Sequence, residues 1–335
     1  MSLRTRKLTI ACLQINAHWG TDVLSSIRHA DALLAPLLQA PTAPCSSTNR
    51  IRSGKKPDIL VLPELAFTGY GFPSRTAISP YLEPTGRGVS TQWAQRTARR
   101  IGCHVIVGYP ERPDGSNLAK DEGPIYNSAV VVGPSGTVLY NYRKHFLYEA
   151  DEKWGASPGQ DGFGSLNMKI KNSAGLVSEN ENEMRIRVVL GLCMDLNPEK
   201  FEAPFTKFEF GNFAVTNKAD VIIMPMAWLA FGQAESNNEK DVTDLQEIED
   251  DEPDWRTVHY WARRLTPVVT QYAQAEQRKT SNTIFVASNR CGIEDGKTTY
   301  AGSSCVLQFC HDASVQLTAT LSKKSEGVLI TDVNI

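Results

Sequence analysis

Cys193 lies where a buried, strand-like run, VVLGLC, breaks into MDLNP, a turn whose proline can open a helix. A thiol at such an elbow meets the positive end of the helix and its free N–H groups, which lower a cysteine pKa and offer donors to an oxyanion. Gly191 lets the backbone pack closely there. Glu64 closes the apolar run ILVLPEL directly after a proline, at the kind of strand end where α/β sheets bind ligands. The third candidate is YRKHFLYEADEKWGASPGQ, 142–160, in which Lys144 closes a strand and Glu152 follows eight residues later. A lysine beside a cysteine stabilises both a thiolate and an oxyanion, and a second acid can hold that lysine in place. Taken singly, each has a plain reading: a buried structural thiol, a solvated strand-end acid and a charged loop. Together they describe nucleophilic acyl chemistry.

The elements that must position these residues alternate along the chain. KLTIACLQI from Lys7 reads as a strand, and Val23, Ile27, Ala30, Leu33, Leu34 and Leu37 recur at helical spacing over 22–38. A second unit follows with the buried run 58–64, a helix between Gly88 and Gly102, and the strand HVIVGYPER at 104–112. IYNSAVVVG (125–133), a PSG turn and TVLYNYRK (137–144) read as a hairpin. The spacing predicts further strands at 185–195, 219–228, 282–290, 303–309 and 327–335. It also predicts a helix from Pro198 to about Lys218 and another over 255–277. Alternating strands and helices with hairpins mixed in imply an α/β protein built on mixed sheets, and so many strands for so few helices imply two stacked sheets. No repeat or linker divides the chain, so 1–335 reads as a single domain with surface insertions at about 40–57, 170–184 and 231–254.

Composition narrows the classes of function. With 41% hydrophobic and 21% charged residues the chain is globular rather than disordered, and no apolar run approaches the roughly 18–20 residues that span a bilayer. A net charge of -2 and the lack of a basic, aromatic-interleaved helix argue against a nucleic-acid partner. Residues 239–254 concentrate nine acids against one lysine, either a solvated surface loop or a device that steers cations. Seven cysteines without a C-x-x-C, and no hydrophobic signal or room for a transit peptide before Leu8, point to free thiols in the cytosol. Cys305 and Cys310 lack histidine partners at metal-ligand spacing, and His145, one residue past Lys144 along a strand, should face away from it.

VLPE with Glu64, the stretch around Lys144 and Glu152, and GLCMD with Cys193 resemble, in order and spacing, the three signature blocks of the nitrilase superfamily. PMAW (225–228), SNRCG (288–292) and AGSSCVL resemble its later blocks. The resemblance implies an αββα sandwich of two mixed sheets covered by helices, and a Glu64–Lys144–Cys193 site with no metal or organic cofactor. Within the superfamily, CMDLNPEKFEAPF and the acidic insertion resemble the fungal protein N-terminal amidases. That implies deamidation of N-terminal Asn and Gln in the N-degron pathway, with protein or peptide N-termini as partners and neither nucleic acid nor membrane. Many relatives that act on small acids carry an arginine four residues past the nucleophile; here that position is Asn197, so the obvious anion clamp is missing.

On this reading the Cys193 thiolate attacks the side-chain carboxamide, and Lys144 with the Met194 backbone N–H holds the oxyanion. Glu64 serves as general acid and then general base, and Glu152 orients Lys144. Asp195, two residues past the nucleophile, is either the acceptor for the substrate's α-ammonium or a structural cap. Tyr70 and Trp228 either wall the pocket or belong to the core. The alternative function is an ω-amidase or carbamoylase acting on free small amides with the same catalytic set. A different class, a silent scaffold, is disfavoured by the presence of all four catalytic residue types.

Overall fold

The computed structural model describes residues 7–16, 22–38, 55–114, 123–171, 183–231, 251–274 and 282–335. The acidic stretch 239–250 and most of the three expected insertions lie outside the described residues.

Two sheets stack face to face. The first is seven-stranded and runs β12 (Gly327–Asn334), β1 (Lys7–Gln14), β2 (Ile59–Val61), β3 (His104–Arg112), β4 (Tyr126–Val132) and β5 (Val138–Arg143), with Glu83–Pro84 added beside β3. The second is six-stranded and runs β11 (Val315–Thr320), β10 (Cys305–Phe309), β9 (Thr283–Ser288), β8 (Val221–Pro225), β7 (Glu183–Leu190) and β6 (Gly164–Lys171). Each is mixed: β1, β2 and β3 pair in parallel, as do β7, β8 and β9, while the flanking strands pair antiparallel.

The strands are apolar on both faces because both faces are covered. In β1, Leu8, Ile10 and Cys12 enter the core between the sheets, where they join Val188, Leu190, Ile223 and Val286. Ala11 and Leu13 pack outward under α1 (Val23–Leu38) and α2 (Val89–Ile101), against Ile27, Ala30, Leu34, Trp93 and Ala98. The second sheet is covered in the same way by α4 (Glu209–Thr216), α5 (Trp255–Arg264) and α6 (Thr266–Gln274) through Phe210, Trp261 and Val268. Each fully buried side chain of this size contributes on the order of 1.5–3 kcal/mol. The αββα sandwich matches the expectation. Among the described residues no helix is long and apolar enough to cross a membrane.

Two helices differ from the expectation, and proline explains both. No helix runs from Pro198 to Lys218: short 3-10 turns at Glu199–Phe201 and Phe205–Lys207 precede α4. Asn197, the residue before Pro198, is held extended at ψ 167° by the steric demand of the proline ring, and Pro204 interrupts the chain again. The predicted helix at 255–277 is two helices that part at Leu265, because Pro267 clashes with continuation of α5 but suits the first turn of α6.

Candidate active site

The C-terminal ends of β2, β7 and β8 and the end of β5 converge at one edge of the sandwich, and each delivers one reactive side chain or one wall. Glu64 leaves β2 through Pro63, and this loop passes so close to β3 that a Cβ on Gly108 would stand 2.7 Å from the Glu64 Cα; only glycine fits there. Arg290, buried just past β9, clamps the same loop by donating from Nη1 to the Glu64 and Leu65 carbonyls at 3.1 and 2.8 Å. Cys193 leaves β7 after Gly191, whose missing side chain makes room for Phe210 and the Met224 sulfur. Asn289 fixes the wall that follows β8, accepting from the Trp228 N–H at 2.7 Å and donating to its carbonyl at 3.2 Å.

Lys144 sits at the centre, fully buried, and donates to Glu64 Oε1 at 2.7 Å and to Asp151 Oδ2 at 2.6 Å. Asn127 from β4 bridges the two acids, its Nδ2 donating to Glu64 Oε1 at 2.7 Å and to Asp151 Oδ1 at 2.8 Å. The Ala227 N–H donates to Glu64 Oε2 at 2.9 Å, and the Tyr70 hydroxyl donates to Asp151 Oδ2 at 3.3 Å. The acid that orients Lys144 is therefore Asp151 and not Glu152. α3 (Glu149–Lys153) turns Asp151 inward and leaves Glu152 exposed, since neighbouring residues of a helix point about 100° apart. A local cue was available: the Tyr148 N–H that opens α3 donates to Asp151 Oδ2 at 2.9 Å, the cap expected of an acid in a first helical turn.

Asp195 is a structural acid, and its role as ammonium acceptor is overturned. It is wholly buried and accepts from the Tyr142 hydroxyl and the Leu192 N–H at 2.7 Å, from the Phe146 N–H at 2.8 Å and from the His145 N–H at 3.2 Å. These contacts tie the Cys193 turn to the residues on either side of Lys144. His145 is structural as expected, its Nδ1 lying 2.9 Å from the Gly159 carbonyl.

Cys193 opens a 3-10 turn, Cys193–Leu196, with φ at +38°, a conformation that costs a non-glycine residue on the order of 1–3 kcal/mol and recurs at functional sites. The long helix that was to lower its pKa is not there. Burial pushes the thiol up, the Glu64 charge pushes it further, and Lys144 with the Ala227 N–H opposes them. Burial also raises Glu64 above the usual carboxylate range, against Lys144 and with the help of Asp151. Lys144 stays cationic: burial works against its charge, but Asp151 and Glu64 outweigh burial. The resting site therefore holds a thiol beside a carboxylate of raised basicity, which suits proton transfer from one to the other.

Cys193 and Met194 line a cavity of about 600 Å³ with Tyr148, Trp228 and Tyr260. Of the two readings left open for these aromatics, Trp228 lines the cavity, whereas Tyr70 stands behind Lys144 in a core with Leu65, Phe72 and Trp154. Asn197 contributes Oδ1 as acceptor for the Tyr260 hydroxyl at 2.7 Å. Sequence reasoning missed Asp151, Asn127, Tyr148 and Tyr260. The buried Arg264 that pins the catalytic turn, donating from Nε to the Leu196 carbonyl at 2.7 Å, was missed as well.

Comparison with known proteins agrees with this fold. The model of the carbon-nitrogen hydrolase family matches residues 10–164. The chain is 28% identical to the protein N-terminal amidase of Saccharomyces cerevisiae, over 83% of this chain and 87% of that one. It is also 28% identical to the protein N-terminal amidase of Schizosaccharomyces pombe, over 82% of this chain and 86% of that one. An N-terminal amidase crystallised with an Asn-Glu-Ala peptide superposes with a TM-score of 0.80 at 26% identity over 98% of both chains. One crystallised with a Gln-Gly peptide superposes with a TM-score of 0.79 at 25% identity, again over 98% of both.

Proposed function

We propose that the chain is a carbon-nitrogen hydrolase and, among these, a protein N-terminal amidase, converting N-terminal Asn and Gln to Asp and Glu with release of ammonia. The observation that carries this reading is the lysine held between two buried acids beside a thiol that opens onto a cavity larger than one small amino acid needs.

The Cys193 sulfur attacks the side-chain carboxamide carbon while Glu64 takes the thiol proton. An ammonium group carries three protons; Glu64 and Asp151 engage two, and the third has only a long contact, 3.5 Å, to the Tyr70 hydroxyl. That proton and the Met194 N–H, at the open N-terminal end of the 3-10 turn, hold the tetrahedral oxyanion. Glu64 passes its proton to the leaving nitrogen, ammonia departs and a thioester remains. Water then loses a proton to Glu64 as it attacks, and the thiol is regenerated as the acid product leaves. Asp151 and Asn127 keep Lys144 and Glu64 in register through both half-reactions.

Among the described residues no carboxylate lines the cavity, so the α-ammonium is met by aromatic faces, Tyr148 and Trp228, and by the Asn197 carbonyl oxygen. The six described cysteines are free and buried, which supports a reducing compartment such as the cytosol.

Ammonia release from Asn- and Gln-led peptides, their N-acetylated forms and free glutamine tests the proposal. Free N-termini should be turned over well, acetylated ones poorly, and Cys193→Ala should release none. Turnover of free glutamine above that of every peptide would favour the small-amide alternative, and equal rates on free and acetylated peptides would remove recognition of the ammonium.

A further inference from the structure

Beyond the thiol, the cavity is walled by one face of α5. Arg256, His259, Tyr260 and Arg263 fall at i, i+3, i+4 and i+7, the spacing of a single helical face, and all four line the cavity that Cys193 opens onto. This face is cationic, and among the described residues that line the cavity it meets no counter-charge. Arg256 lies over the Phe231 ring at 4.6 Å from its centroid and Arg263 over the Phe205 ring at 5.2 Å. Both guanidinium groups are exposed, and among the described residues neither is ion-paired. The next residue shows what a structural arginine looks like in the same helix: Arg264 is buried, donates to the Leu196 and Phe205 carbonyls and reaches Glu209 at 3.3 Å. The acids nearest the start of α5 are already engaged, Asp254 by the Arg256 and Thr257 N–H groups and the Thr257 hydroxyl, Glu252 by the Trp255 indole.

Stacking on a ring fixes a guanidinium plane while leaving its N–H edge free, the arrangement that presents a fork to a carboxylate. We propose that Arg256 and Arg263 form a subsite for an acidic side chain at one of the two residues that follow the N-terminal Asn or Gln of the substrate. The inference rests on the N-terminal amidase reading and deepens it: the first residue is chosen by the chemistry at Cys193, and the following ones are ranked by charge. It also accounts for a cavity that holds cations although the substrate itself brings an ammonium. A carboxylate one or two residues along the peptide offsets the repulsion between them.

Three peptides amidated at the C-terminus, so that no terminal carboxylate substitutes, decide the matter: Asn-Glu-Ala-Gly, Asn-Ala-Glu-Gly and Asn-Gln-Gln-Gly. At low salt, one of the two acidic peptides should exceed the neutral peptide in kcat/KM by about threefold to fivefold, chiefly through KM, as exposed ion pairs of this kind allow. The preference should shrink below about twofold at roughly 0.5 M salt, where the screening length falls to a few ångströms. It should also vanish in Arg256→Gln/Arg263→Gln. The salt series uses the unaltered enzyme and is independent of how the variant folds. Equal kcat/KM for all three peptides at low salt, or a preference untouched in the double variant, would overturn the subsite while leaving the amidase reading intact. Turnover of free glutamine with none of any peptide would overturn both.

Discussion

Two neighbouring residues, Arg143 at the end of β5 and Lys144 directly after it, each meet a buried glutamate, and the two pairs differ in what surrounds them. Glu111 accepts from Arg143 Nη2 at 2.5 Å and from its Nε at 3.1 Å, and is completed by Thr85, Ser128 and Asn141 at 2.6, 2.5 and 2.9 Å. One acid faces one base and both oxygens are filled. Burial pushes Glu111 up, but Arg143 and the hydroxyl donors outweigh it and hold the carboxyl below its usual range. Around Lys144 two acids share one base, and Glu64 is held above the usual range. The excess negative charge is tolerated because Asn127, Ala227 and Tyr70 supply donors, and it leaves a carboxylate with an appetite for a proton next to a thiol. A balanced buried pair is scaffold, whereas a buried cluster out of charge balance is where proton transfer is stored.

The sharpest way to break this comparison is to alter the imbalance itself. Asp151→Asn keeps the shape of the cluster but removes one of the two charges that hold Lys144, so kcat should fall by about 10²-fold, the scale of a misplaced oxyanion donor. Glu152→Gln, one residue along on the exposed side of α3, should change kcat by less than about twofold. Steady-state ammonia release on one Asn-led peptide reads both. Reversal of the two effects would return the orienting role to Glu152.

The balanced pair should respond in stability rather than in rate. Glu111→Gln leaves Arg143 without its counter-charge and is expected to cost about 2–4 kcal/mol in a denaturant titration, with kcat/KM within about threefold of the parent. The sign with pH follows from the depressed carboxyl. Its contribution is present at neutral pH and drains away as the pH falls below the ordinary 4.5 and through the lower folded value, so parent and variant should converge in acid. A large loss of kcat in this variant would show that the two clusters are not separable.

Much of this was legible in the sequence because it is written in local patterns. β1, β3 and β12 are apolar runs with sharp ends, and the blocks that hold Glu64, Lys144 and Cys193 are contiguous and carry side chains whose chemistry is self-evident. What escaped reading was set by distant contacts or by weak patterns. β11 is an edge strand whose VQLTAT is almost entirely exposed, and β6 alternates with lysine and asparagine on its open side, so neither shows the continuous apolar run of a doubly covered strand. The choice of Asp151 over Glu152 depends on which side of a single helical turn faces a lysine seven residues earlier; the local cue, an acid at the third position of α3, is weak because Tyr148 before it is not a residue that usually caps a helix. Asp195 was ambiguous for the same reason: its four donors come from 142–146 and from Leu192, and only the folded chain brings them together.

The finest probe of the comparison is the acid limb of the pH–rate profile. kcat/KM reports the free enzyme, in which the proposed mechanism requires Glu64 to be ionised to take the Cys193 proton, so activity should fall as the pH drops through a value above the ordinary carboxylate range. Burial and Asp151 raise that value; Lys144 and the hydrogen bond from Asn127 lower it. Asn127→Leu removes one lowering contribution and nothing that raises, and the Asn127 Oδ1 has no partner to lose among the described residues. The limb should therefore move to higher pH by about half a unit to one unit, the shift of one neutral hydrogen bond to a carboxylate, with the plateau rate altered far less than in Asp151→Asn. A limb that stays put would mean that the titrating group is not Glu64, and one that moves to lower pH would mean that Asn127 favours the protonated acid, against the donor geometry at 2.7 Å.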